Sequence, residues 1–145
     1  MRQLIIGTET GTAEFVGDDI SALLEQYNLP VEVTLEPEYD SSDTKQLWIF
    51  CTSTHGAGEI PNNLKPFLTW LENTKPDLFN VSFIVIGLGD SSYDTYCKAA
   101  YQIESILLKL GANKLTETFT VDAMDEELPE DLIIPWLKSK LDLLN

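Results

Sequence analysis

The sequence is poor in cations, imidazole and thiol. Nine lysine and arginine residues stand against 24 aspartate and glutamate residues, a net charge of −15, and Arg2 is the sole arginine. Nucleic acids and anionic membrane surfaces are therefore unsuitable partners, because phosphate contacts depend on Lys and Arg. The one histidine, His55, has no identifiable carboxylate partner for general-base work. Cys51 and Cys97 lie far apart in the chain and fit neither a C-x-x-C nor a zinc spacing, so they read as two reduced thiols. No run of 18 apolar residues exists to cross a bilayer. The opening Met1-Arg2-Gln3-Leu4-Ile5-Ile6 runs at once into a glycine turn, too short for the core of a signal peptide, and a cytoplasmic location is expected. No repeat, low-complexity segment or linker interrupts residues 1–145. Their 43% hydrophobic content suits one domain with one sizeable core.

What is present is an alternation of short apolar runs with segments of helical period. Leu4–Gly7, Val31–Leu35, Leu47–Thr52, Phe83–Ile86 and the more exposed Leu115–Val121 read as five strands. Between them, Val16, Ile20, Leu23, Leu24 and Tyr27 recur at helix spacing. So do Leu64, Phe67, Leu68 and Leu71 in a helix opened by Pro61, and Ile103, Ile106, Leu107 and Leu110 in one capped by Gly111. A last helix begins at Pro129, with Ile133, Trp136, Leu137 and Leu141 inward. The pattern predicts an α/β fold with a doubly wound parallel sheet and helices on both faces. The Glu36–Gln46 connection is the exception: its acidic start disfavours a helix, and loop or a single turn is expected.

In such a sheet, ligands sit beyond the carboxyl ends of the strands. Three segments fall there. Gly7-Thr8-Glu9-Thr10-Gly11-Thr12-Ala13-Glu14 runs from the first strand into a helix, offering backbone N–H groups and three hydroxyls to an anion. It is not a Walker loop, since no Lys follows Gly11, and not a G-x-G-x-x-G fingerprint. Thr52-Ser53-Thr54-His55-Gly56-Ala57-Gly58-Glu59-Ile60-Pro61-Asn62-Asn63 carries two glycines within its first seven residues that let backbone approach a flat ligand. Gly87-Leu88-Gly89-Asp90-Ser91-Ser92-Tyr93-Asp94-Thr95-Tyr96-Cys97 places aromatic rings just after a glycine-rich strand end. Each loop has an ordinary structural explanation, as a helix cap, a turn or half-buried tyrosines. All three on one edge point to a ligand.

These loops resemble the FMN-binding loops of flavodoxins and of the flavodoxin-like domain of diflavin reductases, over essentially the whole chain. They are most similar to the short MioC-type flavodoxins, whose second and third loops are nearly reproduced by Ser53-Thr54-His55-Gly56-Ala57-Gly58 and Tyr93-Asp94-Thr95-Tyr96-Cys97. The resemblance implies a flavodoxin-like five-stranded sheet of order 2-1-3-4-5 in its short form, holding one FMN. It implies that Thr8, Glu9, Thr10, Gly11, Thr12 and Ala13 wrap the phosphate. Ser53, Thr54, His55, Gly56, Ala57 and Gly58 would line the isoalloxazine edge, with the Gly56 peptide near N5. Leu88, Gly89, Asp90, Tyr93, Tyr96 and Cys97 would bracket ring and ribityl chain, with Tyr93 stacked on one face. His55 departs from the aromatic residue that diflavin domains place there.

The implied function is electron carriage between a flavodoxin reductase and acceptor enzymes, among them a radical enzyme such as biotin synthase. The chain itself would not be an enzyme, and no paired carboxylates, metal constellation or activated nucleophile is visible. The acidic runs Glu36–Asp43 and Asp122–Asp131 follow strand ends and are expected to rim the flavin. Most lysines (Lys45, Lys75, Lys109, Lys114, Lys138, Lys140) map to the other pole. Such charge opposes formation of an anionic reduced cofactor by roughly 0.8 kcal/mol per charge at about 10 Å, for an effective dielectric near 40. It also steers basic partners. An FMN-dependent quinone or nitro reductase is the alternative. It needs a nicotinamide site and usually an oligomer interface; neither stands out, and a monomer is expected. A flavin-free receiver domain needs an acidic pair after the first strand, where Gly7-Thr8 stands.

Overall fold

Successive residues of the longest apolar runs alternate between two hydrophobic layers, which fixes the architecture. The computed structural model describes residues 2–9, 11–43, 45–54 and 58–144. β1 (Arg2–Gly7) lies between β2 (Glu32–Thr34) and β3 (Gln46–Ser53), and β3 pairs in turn with β4 (Val81–Gly89), every pairing parallel. Leu47, Ile49 and Cys51 point into one layer with Leu4, Ile6, Ile84 and Ile86; α1 (Thr12–Gln26) and α4 (Pro129–Lys138) cover it. Trp48 and Phe50 point into the other with Ile5, Phe83 and Val85, under α2 (Lys65–Thr74) and α3 (Lys98–Lys109). A strand buried on both faces cannot be half polar, which is why its sequence reads as a continuous apolar run.

The fifth position of the sheet is occupied by two short segments, β5 (Asn113–Lys114) and β6 (Phe119–Asp122), both parallel to β4. They replace the single strand that the sequence predicts over Leu115–Val121. Between the Phe83–Lys114 and Ile86–Phe119 pairs, β4 advances by three residues and its partner by five. The surplus residues loop out and break the ladder, as in a bulge. The strand order is β2-β1-β3-β4-β5, as expected.

Helix ends follow local chemistry. Asn28 takes φ 60° just past α1, and the Leu29 N–H donates to the Leu24 carbonyl at 2.8 Å. Gly111 does the same after α3, with the Ala112 N–H donating to the Leu107 carbonyl at 3.1 Å. Both are Schellman closures, and Leu29 and Ala112 are buried as that motif favours. α2 starts at Lys65 rather than Pro61, because Pro61–Leu64 forms its own turn (Leu64 N–H to Pro61 carbonyl, 3.0 Å) and Pro66 supplies the helical first turn. The described residues of the connection between β2 and β3 contain no helix. Among the described residues, no helix is long and apolar enough to cross a membrane.

Burial pushes the Cys51 thiol from 9.0 up to about 12. The unfolded chain ionises this thiol above about pH 9 while the folded chain keeps it protonated, so its contribution to stability is complete below pH 9 and is lost as pH rises toward 12. Denaturant unfolding at pH 8 and 10.5 is expected to show the parent losing on the order of 2 kcal/mol more than Cys51→Ala over that interval, at about 1.4 kcal/mol per pH unit. Parallel pH profiles would contradict it.

Candidate functional site

The carboxyl ends of β1, β3, β4 and β6 open on one edge of the sheet, and the segments leaving them enclose a cavity of about 440 Å³. That volume lies in the range of small-molecule sites. Thr12 lines it from the first loop, Ser53 and Thr54 from the second, and Leu88, Gly89, Asp90, Tyr93, Tyr96 and Cys97 from the third. All of these are site residues expected from the sequence. The cavity adds Thr95 to them, and Val121, Ala123 and Pro129, which form a wall behind β6. In the sequence the segment after the fifth strand stands out for its charge; its small apolar positions were the signal that could have found this wall.

The first loop turns tightly into α1. Gly11 has φ 93°, a region open mainly to glycine, and a side chain there would point into open space. The Thr8 hydroxyl accepts from the Gly11 N–H at 2.9 Å, closing the turn. The Gly11 N-cap makes no side-chain cap bond, and the Glu14 N–H donates to the Gly11 carbonyl at 3.1 Å, so only the Thr12 and Ala13 N–H groups at the start of α1 make no bond among the described residues. Thr8, Glu9, Gly11, Ala13 and Gly58 do not line the cavity. The Glu9 carboxylate instead accepts from the Asn62 N–H at 2.7 Å, and Ala13 is fully buried in the core. Gly58 has φ 97°, and a Cβ on it would fall 2.6 Å from Lys98 Cδ, so it lets the second loop pass close to α3. Thr10, His55, Gly56 and Ala57 lie outside the described residues.

Asn63, which the sequence places in the second loop with no role of its own, ties the loops together. Asn63 Nδ2 donates to the Ile6 carbonyl at 2.6 Å and to the Leu35 carbonyl at 2.8 Å, and Asn63 Oδ1 accepts from the Thr8 N–H at 3.0 Å. A single amide side chain thus fastens the end of β1, the exit of β2 and the first loop to the second. On the far side, Asp122 accepts from the Ser91 N–H at 3.0 Å and the Met124 N–H at 2.9 Å. The Ala123 N–H donates to the Gly89 carbonyl at 2.7 Å. These bonds bind the third loop to the segment after β6.

The cavity's electrostatics follow from burial and neighbouring acid. Burial raises the Tyr96 phenol and lifts the Cys97 thiol to about 11, with Asp122 adding to both. Cys97 is therefore a protonated, inaccessible thiol at neutral pH, and its contact with Gly89 is structural: a Cβ on Gly89 would fall 2.9 Å from both the Cys97 nitrogen and Sγ. Hydrogen bonds from Ser91 and Met124 hold the Asp122 carboxyl below its ordinary value. The Thr54 hydroxyl is buried at the cavity wall with no hydrogen-bond partner among the described residues. Among those residues no group of three side chains is placed to hold a metal ion.

Charge is distributed by the ends of the elements. Glu9, Glu14, Glu36, Glu59, Asp90, Asp94 and Asp122–Asp131 follow strand ends at the cavity pole, whose only lysines among the described residues are Lys65 and Lys98. Arg2, Lys45, Lys75, Lys109, Lys114, Lys138 and Lys140 lie at strand starts or helix ends, the opposite pole. The expectation for Glu36–Asp43 needs correction, because only its beginning belongs to the cavity pole. Gln46 Nε2 donates to the carbonyls of Asp40 (2.7 Å) and Asp43 (3.3 Å), and Gln3 Nε2 to that of Glu38 (3.4 Å), so the run crosses the sheet to the starts of β1 and β3. Without a crossover helix, the connection itself is the return path.

Comparison with known proteins agrees with this geometry. The sequence model of the family Flavodoxin matches residues 4–136. Protein MioC of Escherichia coli O157:H7 is 38% identical over 141 residues, which cover 97% of this chain and 96% of that protein. NADPH–cytochrome P450 reductase of Rattus norvegicus is 33% identical over 141 residues, 91% of this chain and 21% of that protein. A solved single-site mutant of flavodoxin from Pseudomonas aeruginosa superposes with a TM-score of 0.82 at 30% identity, covering 99% of both chains.

The Asn63 clamp yields a direct expectation. Asn63→Ala removes three hydrogen bonds worth about 0.5–1.5 kcal/mol each, so urea unfolding should show a loss of about 2–4 kcal/mol. Asn63→Asp keeps the acceptor for Thr8 but sets a carboxylate against two carbonyls, and at neutral pH it should be no more stable than the alanine variant. An Asn63→Ala protein within about 0.5 kcal/mol of the parent, one weak bond, would contradict the clamp.

Proposed function

The chain belongs to the flavodoxin family, FMN-dependent electron carriers rather than enzymes with a substrate of their own, and from that premise we propose that its FMN is held by the cavity residues described above. The bound FMN supplies the electron chemistry, and the protein supplies binding, orientation and electrostatics. Thr12, at the start of α1 where the first loop meets the cavity, holds the phosphate. Thr12, Ser53, Thr54 and Asp90 offer polar contacts, Tyr93 and Tyr96 offer π-faces to the ring, and Leu88, Val121, Ala123 and Pro129 exclude water. Stacking of this sort is worth about 0.5–1.5 kcal/mol beyond area burial. Tyr93, 63% exposed in the protein alone, is poised to cover a planar ligand.

The observation that carries this reading is the buried Thr54 hydroxyl without a partner among the described residues. A polar group left unsatisfied costs stability, and a ligand that pairs with it relieves that cost. The acidic pole extends the reading to partners. A basic flavodoxin reductase delivers electrons there, and acceptor enzymes, a radical enzyme such as biotin synthase among them, withdraw them, the carrier acting as a cytoplasmic monomer.

Two experiments test these assignments. Thr54→Val should leave the apoprotein at least as stable as the parent while weakening FMN binding about two- to tenfold, the worth of one net hydrogen bond. Equal FMN affinity by calorimetry would remove Thr54 from the site. Electron delivery from NADPH through a flavodoxin reductase should slow steadily as ionic strength rises, because screening shortens the reach of the acidic pole. A salt-independent rate would refute charge-guided docking.

A further inference from the structure

A second concave site lies on the flank where the β2–β3 connection runs without a helix. Tyr39 and Trp70 line it side by side, a tilted ring pair with centroids 6.2 Å apart and planes inclined at 42°. Each ring is braced. Tyr39 meets the buried Trp48 edge to face at 6.2 Å, and its hydroxyl donates to Asn80 Oδ1 at 3.4 Å. Trp70 stacks on Phe67 at 6.5 Å, yet it stays 42% exposed. Pro37 and Pro66 close the ends, Glu38 stands on the rim, and the enclosed volume is about 350 Å³. None of these residues lines the cofactor cavity.

We propose that this cleft receives an arginine side chain from a partner protein. The exposed ring of Trp70 beside the half-buried Tyr39, with a carboxylate at their margin, suits a cation, and of the two cationic side chains the planar, weakly hydrated guanidinium stacks on rings better than an ammonium. Glu38 supplies the counter-charge and makes no ion pair among the described residues, and Glu36 and Asp40 add to the negative field on either side. A purely apolar occupant would gain the ring contact but would desolvate Glu38 without compensation. Pro66 stands in the first turn of α2, which continues the second cofactor loop, so one end of the cleft belongs to the acidic pole. The inference rests on the electron-carrier reading for the nature of the partner, a protein with a basic surface; the chemistry of the cleft is tested without one.

The test uses the FMN-loaded, nitrogen-15-labelled protein and the peptide N-acetyl-Pro-Arg-Pro-amide, read at the indole N–H of Trp70. The control peptide carries citrulline, which has the same shape without the charge. The arginine peptide should give a saturable shift, and the citrulline peptide should bind about two- to fivefold more weakly. Glu38→Gln should narrow that gap. Trp70→Phe should retain the preference and Trp70→Ala should abolish it, both followed at the Tyr39 amide. Equal binding of the two peptides, or no saturable shift with arginine, would overturn the proposal. So would a Trp70 signal that moves with protein concentration alone, since a second copy would then occupy the cleft. The FMN absorbance of each sample separates the two readings: a failed cleft with intact FMN binding leaves the carrier assignment standing.

Discussion

Burial of the central strands on both faces is the constraint from which the rest follows. Trp48, Ile49, Phe50 and Cys51 are all fully buried, and successive residues enter opposite layers. Neither layer closes without helices, so helices must lie on both sides of the sheet. Parallel strands joined by such crossovers all end at one edge. The loops that leave that edge are freed from packing on the core, and their residues are available for a ligand. The cavity exists because the core demands parallel strands.

The same constraint explains what could be read from the sequence. Apolar side chains report their position by period, because burial is non-directional and depends on which face a residue occupies. The first four strands and most of the inward helix positions were legible for that reason; Tyr27, expected inward, is exposed past the end of α1, and Leu141 lies beyond α4. Polar groups are different: what Asn63 does depends on where Ile6, Leu35 and Thr8 meet in space, and nothing in the order Asn62-Asn63-Leu64 records it. The break in the fifth strand was hidden because it arises from a mismatch of residue number against β4, a property of two segments together.

The site divides along the same line. Gly11, Gly89 and Tyr93 stood out because glycine and aromatic residues at strand ends have few other uses. Val121, Ala123 and Pro129 did not, because small apolar residues occur everywhere. The reading of Glu36–Asp43 failed where a connection has no period to give its direction. Asp40 and Asp43 reach the far end of the sheet because Gln46 holds their carbonyls there.

The two hydrophobic layers differ in how much of the chain they need. The layer containing Trp48 and Phe50 is complete between Ile5 and Ala112, whereas the one containing Ile49 draws on residues from Leu4 to Leu144. During synthesis, which proceeds from the N-terminus, the first layer closes while the face of α1 still awaits α4. For that interval the side of α1 that meets α4 is uncovered, while the side that faces β1 and β3 already has its partners.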